Sequence, residues 1–216
     1  MILRTILKTI NNMKKFIWSL DVSTTNVGFA LWDESGKLVE LKHLELKNDK
    51  DIRVEDRDVH KADIFKRYCG AYNEYVNKVL GGEIIKVFIE APLQNTPVNI
   101  NTTALLLGFN GMARFVLYEV IGIIPEKISI HDCRKLFCEE LVTRKRKKDG
   151  TIIETLSFPE EYRDKKKMYI WEKVAKLEPQ IEWFYTKNNT LKDMVFDMSD
   201  SYAVGIAGLK LLGIIK

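Results

Sequence analysis

Between residues 16 and 33 the chain runs apolar, then polar, then apolar again. Phe16-Ile17-Trp18-Ser19-Leu20 leads into Asp21, Ser23-Thr24-Thr25-Asn26 forms a polar turn, and Val27-Gly28-Phe29-Ala30-Leu31-Trp32 ends at Asp33-Glu34-Ser35-Gly36. Runs of aromatic and β-branched residues bounded by turn residues predict a β-hairpin, with Asp21 at the mouth of its first strand. Residues 37–46 alternate by parity and predict a third antiparallel strand, completing a meander. Over 62–80 the residues Ile64, Phe65, Tyr68, Tyr72, Tyr75, Val76 and Val79 recur at three and four, an amphipathic helix closed by Gly81-Gly82.

Ile84-Ile85-Lys86-Val87-Phe88-Ile89 is apolar on both parities, as in a central strand covered on both faces, and it stops at Glu90-Ala91-Pro92. After a polar loop over 94–102, residues 103–120 predict a helix apolar almost all round. Ala104, Gly108 and Gly111 form a small-residue stripe along it. Each interior glycine costs ~1 kcal/mol of helix propensity, so the stripe is expected to pack closely against the sheet. Residues 125–130 predict a short strand. His131-Asp132 is expected to cap a helix over 133–141, with His131 either a cap neighbour or a residue facing the acids. Asp149-Gly150 predicts a hairpin turn, and two further helices follow, one carrying Ile170, Val174 and Leu177, the other spanning 197–209.

With 216 residues, 46% hydrophobic and 30% charged, the chain can bury one core and is read as one domain over 15–216. Residues 1–14 read as a basic, disordered extension with Met13 as an alternative start, an organelle-targeting role for 1–12 staying open. No stretch is expected to reach transmembrane length. Cys69, Cys133 and Cys138 form no metal-ligand spacing, which points to a reducing compartment and a cytoplasmic protein. The formal charge is only +4, yet the basic residues cluster. Arg144-Lys145-Arg146-Lys147-Lys148 lies on an expected hairpin arm near 143–160, and Lys165-Lys166-Lys167 opens the next helix. Such runs are often plain solvated surface, but two flanking one hairpin predict a rim that binds nucleic-acid phosphates.

The candidate chemistry is acidic. Asp21 and Glu90 end apolar strands, and Asp197 and Asp200, three apart, share one face at the start of the last helix. A carboxylate at the end of a buried strand keeps its charge only when solvent, a partner or a cation compensates. Four such acids with no Cys or His requirement suit Mg²⁺ or Mn²⁺. Asp193 is a spare acid ranked below them.

Four segments, Leu20-Asp21-Val22-Ser23-Thr24-Thr25-Asn26-Val27-Gly28, Phe88-Ile89-Glu90, Leu107-Gly108-Phe109-Asn110-Gly111 and Asp197-Met198-Ser199-Asp200-Ser201-Tyr202-Ala203, resemble in order and spacing the RuvC family of Holliday junction resolvases, within the RNase H-like superfamily. The resemblance implies an α/β fold: a mixed five-stranded sheet, antiparallel in its first three strands, flanked by helices. It implies a homodimeric, metal-dependent endonuclease that nicks opposed strands of a four-way DNA junction and leaves 5′ phosphates. Two Mg²⁺ ions would be held by Asp21, Glu90, Asp197 and Asp200, with Mn²⁺ able to substitute and Lys166 or Lys167 as a catalytic-site lysine. The loop bearing Gln94, Asn95, Asn99 and Asn101 would contact the junction. Ser23 stands where the family usually has glycine, and the basic arm is longer than the bacterial form requires, which a viral or phage relative would tolerate; its location would then be the host cell or the viral replication site.

Two other readings remain open. Actin-like sugar kinases and ATPases also start on an acid followed by a Thr-Thr pair, but they need a second adenosine-binding lobe. A catalytically inactive RNase H-like nucleic-acid-binding module would have no use for all four acids together.

Overall fold

The computed structural model describes residues 13–92 and 100–216. Residues 1–12 of the extension expected over 1–14, and Gln94, Asn95 and Asn99 of the loop, lie outside the described residues, whereas Lys14 already belongs to the first strand. In chain order the elements are β1 (Lys14–Val22), β2 (Asn26–Asp33), β3 (Leu38–Glu45), α1 (Arg57–Lys78), β4 (Gly82–Ala91), α2 (Ile100–Ile121), β5 (Glu126–Ser129) and α3 (Ile130–Phe137). They continue with β6 (Val142–Arg146), β7 (Ile152–Leu156), α4 (Lys166–Leu177) and α5 (Met194–Leu211). Five strands form one sheet in the order β3-β2-β1-β4-β5, and β6 and β7 form a separate hairpin. β1–β2 and β2–β3 are antiparallel, whereas β1–β4 and β4–β5 are parallel. This is a mixed α/β sheet, antiparallel in its first three strands, as the resemblance implies.

Strand parity sorts the core into two layers. Trp18, Leu20, Phe29, Leu31, Val87 and Ile89 face α1 and α2. Ile17, Ala30, Trp32 and Phe88 face α3, α4 and α5. On α1 the buried side chains Phe65, Cys69, Tyr72 and Val76 recur at four, three and four, one helical face. Tyr72 stacks on Trp18 with ring centroids 5.0 Å apart. Its hydroxyl donates to Glu40 at 2.7 Å, beside a second donor, Tyr75, at 3.0 Å, so β3 is tied to α1.

The glycine stripe of α2 does not pack on the sheet: a Cβ at Gly108 or Gly111 would meet nothing within 4 Å. The helix presents Phe109, Ala113, Val116 and Leu117 inward instead. Larger side chains bury more apolar area per contact, so they take the core side and the small residues turn outward. Phe115 and Tyr118 stay half-exposed or more beside them. At 22 residues and mean hydropathy 1.4, α2 is by length and composition long and apolar enough to cross a membrane, contrary to expectation; its inner face packs against α1.

Close approach to the sheet occurs on α5. A Cβ at Gly205 would fall 2.2 Å from Trp32 Nε1 and one at Gly208 2.3 Å from the Phe88 ring. Beneath Gly205, Trp32 Nε1 donates to Ser19 Oγ at 3.0 Å and Ser19 Oγ donates to the Ser201 carbonyl at 2.9 Å, joining β2, β1 and α5. The short helix α3 begins three residues before the expected start. Ser129 is its cap, its Oγ accepting the Asp132 N–H at 3.1 Å.

Candidate metal centre

Parity and register build this site from the backbone upward. On β1 the residues Ile17, Ser19 and Asp21 point to the α5 side, as do Phe88 and Glu90 on β4. The parallel register pairs Leu20 with Ile89, so Asp21 and Glu90 emerge side by side at the same edge. On the other flank Asp21 pairs with Gly28 of β2. A Cβ there would lie 2.0 Å from the Asp197 carbonyl oxygen, so the bare glycine lets the first turn of α5 rest on the strand. That contact delivers Asp200 to the strand acids. One carboxylate oxygen from each of Asp21, Glu90 and Asp200 lies within 4.8 Å of the others.

Asp197 shares the helix face but stands outside this trio, linked to it through a cation. Lys167 Nζ, at the start of α4, is 3.7 Å from Asp197 Oδ1 and 3.3 Å from Asp200 Oδ2. Because α5 begins at Met194, Asp197 lies in its first turn and Asp200 in its second. The helix dipole therefore favours Asp197 more than Asp200. From α3, Arg134 Nη2 approaches Asp200 Oδ1 to 3.8 Å. Asn110 of α2 donates to the Glu90 carbonyl at 3.2 Å and fixes the end of β4 from the other side of the sheet.

The electrostatics show a site short of positive charge. Burial, then the charges of Asp200 and Asp197, push the Asp21 carboxyl well above the usual range against the pull of Lys167 and Arg134. Glu90 is pushed up by burial and by Asp21 and Asp200. Asp197 rises to about 6, burial outweighing the help of Lys167. For Lys167 burial lowers the pKa, but Asp200, Asp21 and Asp197 together raise it above the ordinary lysine value. Glu90 Oε2 and Asp200 Oδ1 are buried with no hydrogen-bond partner among the described residues. Hard carboxylate oxygens converging on one point, two of them without a hydrogen bond, fit a divalent cation of the Mg²⁺ class.

The remaining sequence-derived candidates divide by place. Of the two lysines proposed for the centre, Lys167 faces the acids, whereas Lys166 Nζ lies 5.9 Å from the Phe158 ring centroid. Lys165 is exposed. On the β6–β7 hairpin, Arg144 is paired with Glu154 at 3.0 Å, while Lys145, Arg146, Lys147 and Lys148 are exposed. Asn101 is an exposed residue in the first turn of α2, His131 is exposed in the first turn of α3, and Asp193 is exposed at the α5 start. Arg134, Asn110 and Gly28 are the parts that sequence reasoning left without a role. Arg134 sits about one turn into α3, and its place two residues after the His131-Asp132 cap is the signal the sequence offers. Ser23 closes the β1–β2 turn: its Oγ accepts the Asn26 N–H at 3.0 Å and donates to the Asn26 carbonyl at 2.8 Å.

No family model and no curated protein sequence matches the chain. Among solved structures, Thermus thermophilus RuvC in complex with a Holliday junction substrate is similar with TM-score 0.52 and 9% identity, over 94% of this chain and 98% of that one. A second structure of T. thermophilus RuvC aligns at TM-score 0.49 and 9% identity, over 93% and 98%. An Aquifex aeolicus member of the Ppx/GppA family aligns at TM-score 0.39 and 9% identity, over 93% and 91%. The likeness defines a class by fold: an RNase H-like α/β sheet of the RuvC type, here with a buried acidic cluster at the ends of β1 and β4.

Proposed function

We propose that the protein is a metal-dependent, structure-selective DNA endonuclease that resolves four-way junctions as a homodimer, by paired nicks leaving 5′ phosphates. The observation that carries this reading is the trio Asp21, Glu90 and Asp200, within 4.8 Å and with two buried oxygens that accept no hydrogen bond from the described residues. The RuvC-like fold places it at the strand ends, and a RuvC of that fold has been seen holding a Holliday junction.

Asp21, Glu90 and Asp200 would hold Mg²⁺, with Asp197 completing the set and Mn²⁺ able to substitute. Two such ions supply a lowered pKa for the attacking water and neutralise charge on the leaving 3′ oxygen. Lys167, half-exposed on a long stem, reaches from the Asp197–Asp200 pair toward a phosphate set over the acids. Arg134 is more enclosed and keeps Asp200 oriented. Lys165, Lys166 and residues Arg144 to Lys148 supply backbone contacts beyond the centre, joined by Asn101 and by Gln94, Asn95 and Asn99.

The test is cleavage of a labelled four-way junction, the matched duplex and the single strand, in Mg²⁺ or in EDTA. Cleavage of the junction in Mg²⁺ alone is expected, with Asp21→Asn and Asp200→Asn inactive yet folded and still binding DNA. Near-normal cutting by Asp21→Asn would sink the assignment. ATP hydrolysis with no action on branched DNA would favour the kinase-like reading.

A further inference from the structure

Around the sheet edge from the acids, on the α1–α2 side, lies a cleft of about 480 Å³. That volume falls in the ~300–1,000 Å³ range of small-molecule sites. Its apolar wall is Val54, Leu105 and Phe109, and its polar wall is the Thr24-Thr25 turn with Arg57 and Lys61. Two links tie it to the metal centre. Thr24 follows Asp21 by three residues, and Phe109 precedes Asn110, whose side chain holds the Glu90 carbonyl.

The cations here are underused. Lys61 is only 6% exposed and donates to the Thr24 carbonyl at 2.6 Å, leaving two of its three donors without an acceptor among the described residues. Arg57 Nε is buried with no partner among them either. Of the two acids at the rim, Glu55 is paired with Arg53 at 3.5 Å and Asp58 Oδ1 accepts the Val59 N–H at 2.9 Å. A buried ammonium beside a half-buried guanidinium whose Nε has no partner among the described residues favours an anion. The apolar wall beside them favours a flat, weakly polar group. Phosphate and base together make a nucleotide.

We propose that this cleft receives one nucleotide of the bound DNA strand, a few residues from the bond that is cut, with its phosphate at Arg57 and Lys61 and its base against Val54 and Leu105. The proposal rests on the nuclease reading above and deepens it, giving the enzyme a second grip on the strand on the far face of the sheet. A free mononucleotide shares this chemistry, so the experiment must separate the two sources.

Binding of a labelled four-way junction in EDTA is measured as a function of salt for wild type, Arg57→Gln and Val54→Asp, both changes lying near the surface, with thermal melts to show that the fold survives. Arg57→Gln is expected to weaken binding about tenfold and to make the slope of log affinity against log salt shallower by roughly 0.9, one phosphate contact. Abasic sites are then placed one at a time around the nick. At one position the missing base should weaken wild-type binding about tenfold and leave Val54→Asp little affected. An unchanged salt slope for Arg57→Gln, or no abasic position that depends on Val54, overturns the cleft assignment even where wild type cuts junctions in Mg²⁺. Wild type that cuts no DNA overturns the nuclease reading instead. Binding of free AMP that Arg57→Gln abolishes, with junction affinity untouched, overturns the strand nucleotide in favour of a free one.

Discussion

A Cβ at residue 28 would lie 2.0 Å from the Asp197 oxygen and 2.6 Å from the Met198 nitrogen, both backbone atoms that cannot swing aside. Gly28→Ala must therefore lift the first turn of α5 from β2 and carry Asp197 and Asp200 away from Asp21. The expected result is a cost of ~1–3 kcal/mol from overpacking, with junction cleavage reduced at least tenfold; a chemical-denaturation curve and the cleavage assay read the two. The acids themselves have a pH signature. In the metal-free protein Asp21, Glu90 and Asp197 titrate above their unfolded values, Asp197 at about 6. The native state thus keeps protons that the unfolded chain has released, and the contribution of these acids to stability is greatest below the unfolded carboxylate range and falls as pH rises through about 6 and beyond. In EDTA the denaturation midpoint should be higher at pH 5 than at pH 8, Asp197→Asn should flatten that dependence, and Mg²⁺ should raise the midpoint more at pH 8. Equal midpoints at both pH values in EDTA would contradict it. Asp21 and Glu90 were legible in the sequence because a charge at the end of an apolar run is a local contradiction, and Asp197 and Asp200 because their spacing of three puts them on one helix face. Gly28, Arg134 and Lys61 were not, because each matters through a contact between elements far apart in the chain.

Among the elements, the two glycine-bearing helices show where sequence periodicity stops being informative. Both α2 and α5 are apolar nearly all round, so neither pattern says which face meets the sheet. The outcome is decided by large partners across the interface, Trp32 and Phe88 under α5, which leave room only for hydrogen at Gly205 and Gly208. Gly208→Ala should therefore destabilise by ~1–3 kcal/mol, whereas Gly111→Ala, meeting open space, should gain up to ~1 kcal/mol of helix propensity in the monomer. Urea denaturation of the two variants is the measurement, and equal effects would contradict the assigned faces. The β6–β7 hairpin was legible from Asp149-Gly150, but the two faces of its basic run were not weighed. Paired residues share a face: Arg144 lies opposite Glu154 and Thr143 opposite Thr155. Glu154 lines a cleft with Asp132, Lys135 and Leu136, so that face turns to the body, and Lys145 shares the other face with the hydroxyls of Thr143 and Thr155. If the hairpin grips DNA, Lys145→Gln should make the salt slope shallower by roughly 0.9 and the already paired Arg144→Gln by less. Identical slopes for wild type and Lys145→Gln would return this face to ordinary solvated surface.

For the whole molecule, under the proposed function one trio of acids would serve one phosphodiester, while resolving a junction requires two strands cut within the lifetime of one complex. A twofold dimer meets that requirement, because an isologous interface presents two identical sites to a nearly twofold-symmetric substrate. Both long helices over the first core layer looked able to supply the interface from sequence, and their burial separates them. α1 turns Phe65, Cys69, Tyr72 and Val76 inward, whereas α2 leaves Leu107 41%, Phe115 64% and Tyr118 50% exposed along the side that carries Gly108 and Gly111. Glycines between large apolar side chains would let two helix backbones approach and bury those side chains against a second copy, the role this proposal gives the stripe. The proposed dimer should therefore sediment as two chains, and Phe115→Asp should sediment as one without loss of fold. On a plasmid with an extruded cruciform, the dimer should give linear product directly. Phe115→Asp, with its metal centre intact, should nick one strand at a time and pass through the open circle. A wild-type protein that is monomeric at the concentrations where it linearises the plasmid would refute the α2 interface, since two coupled cuts would then come from a single acidic centre.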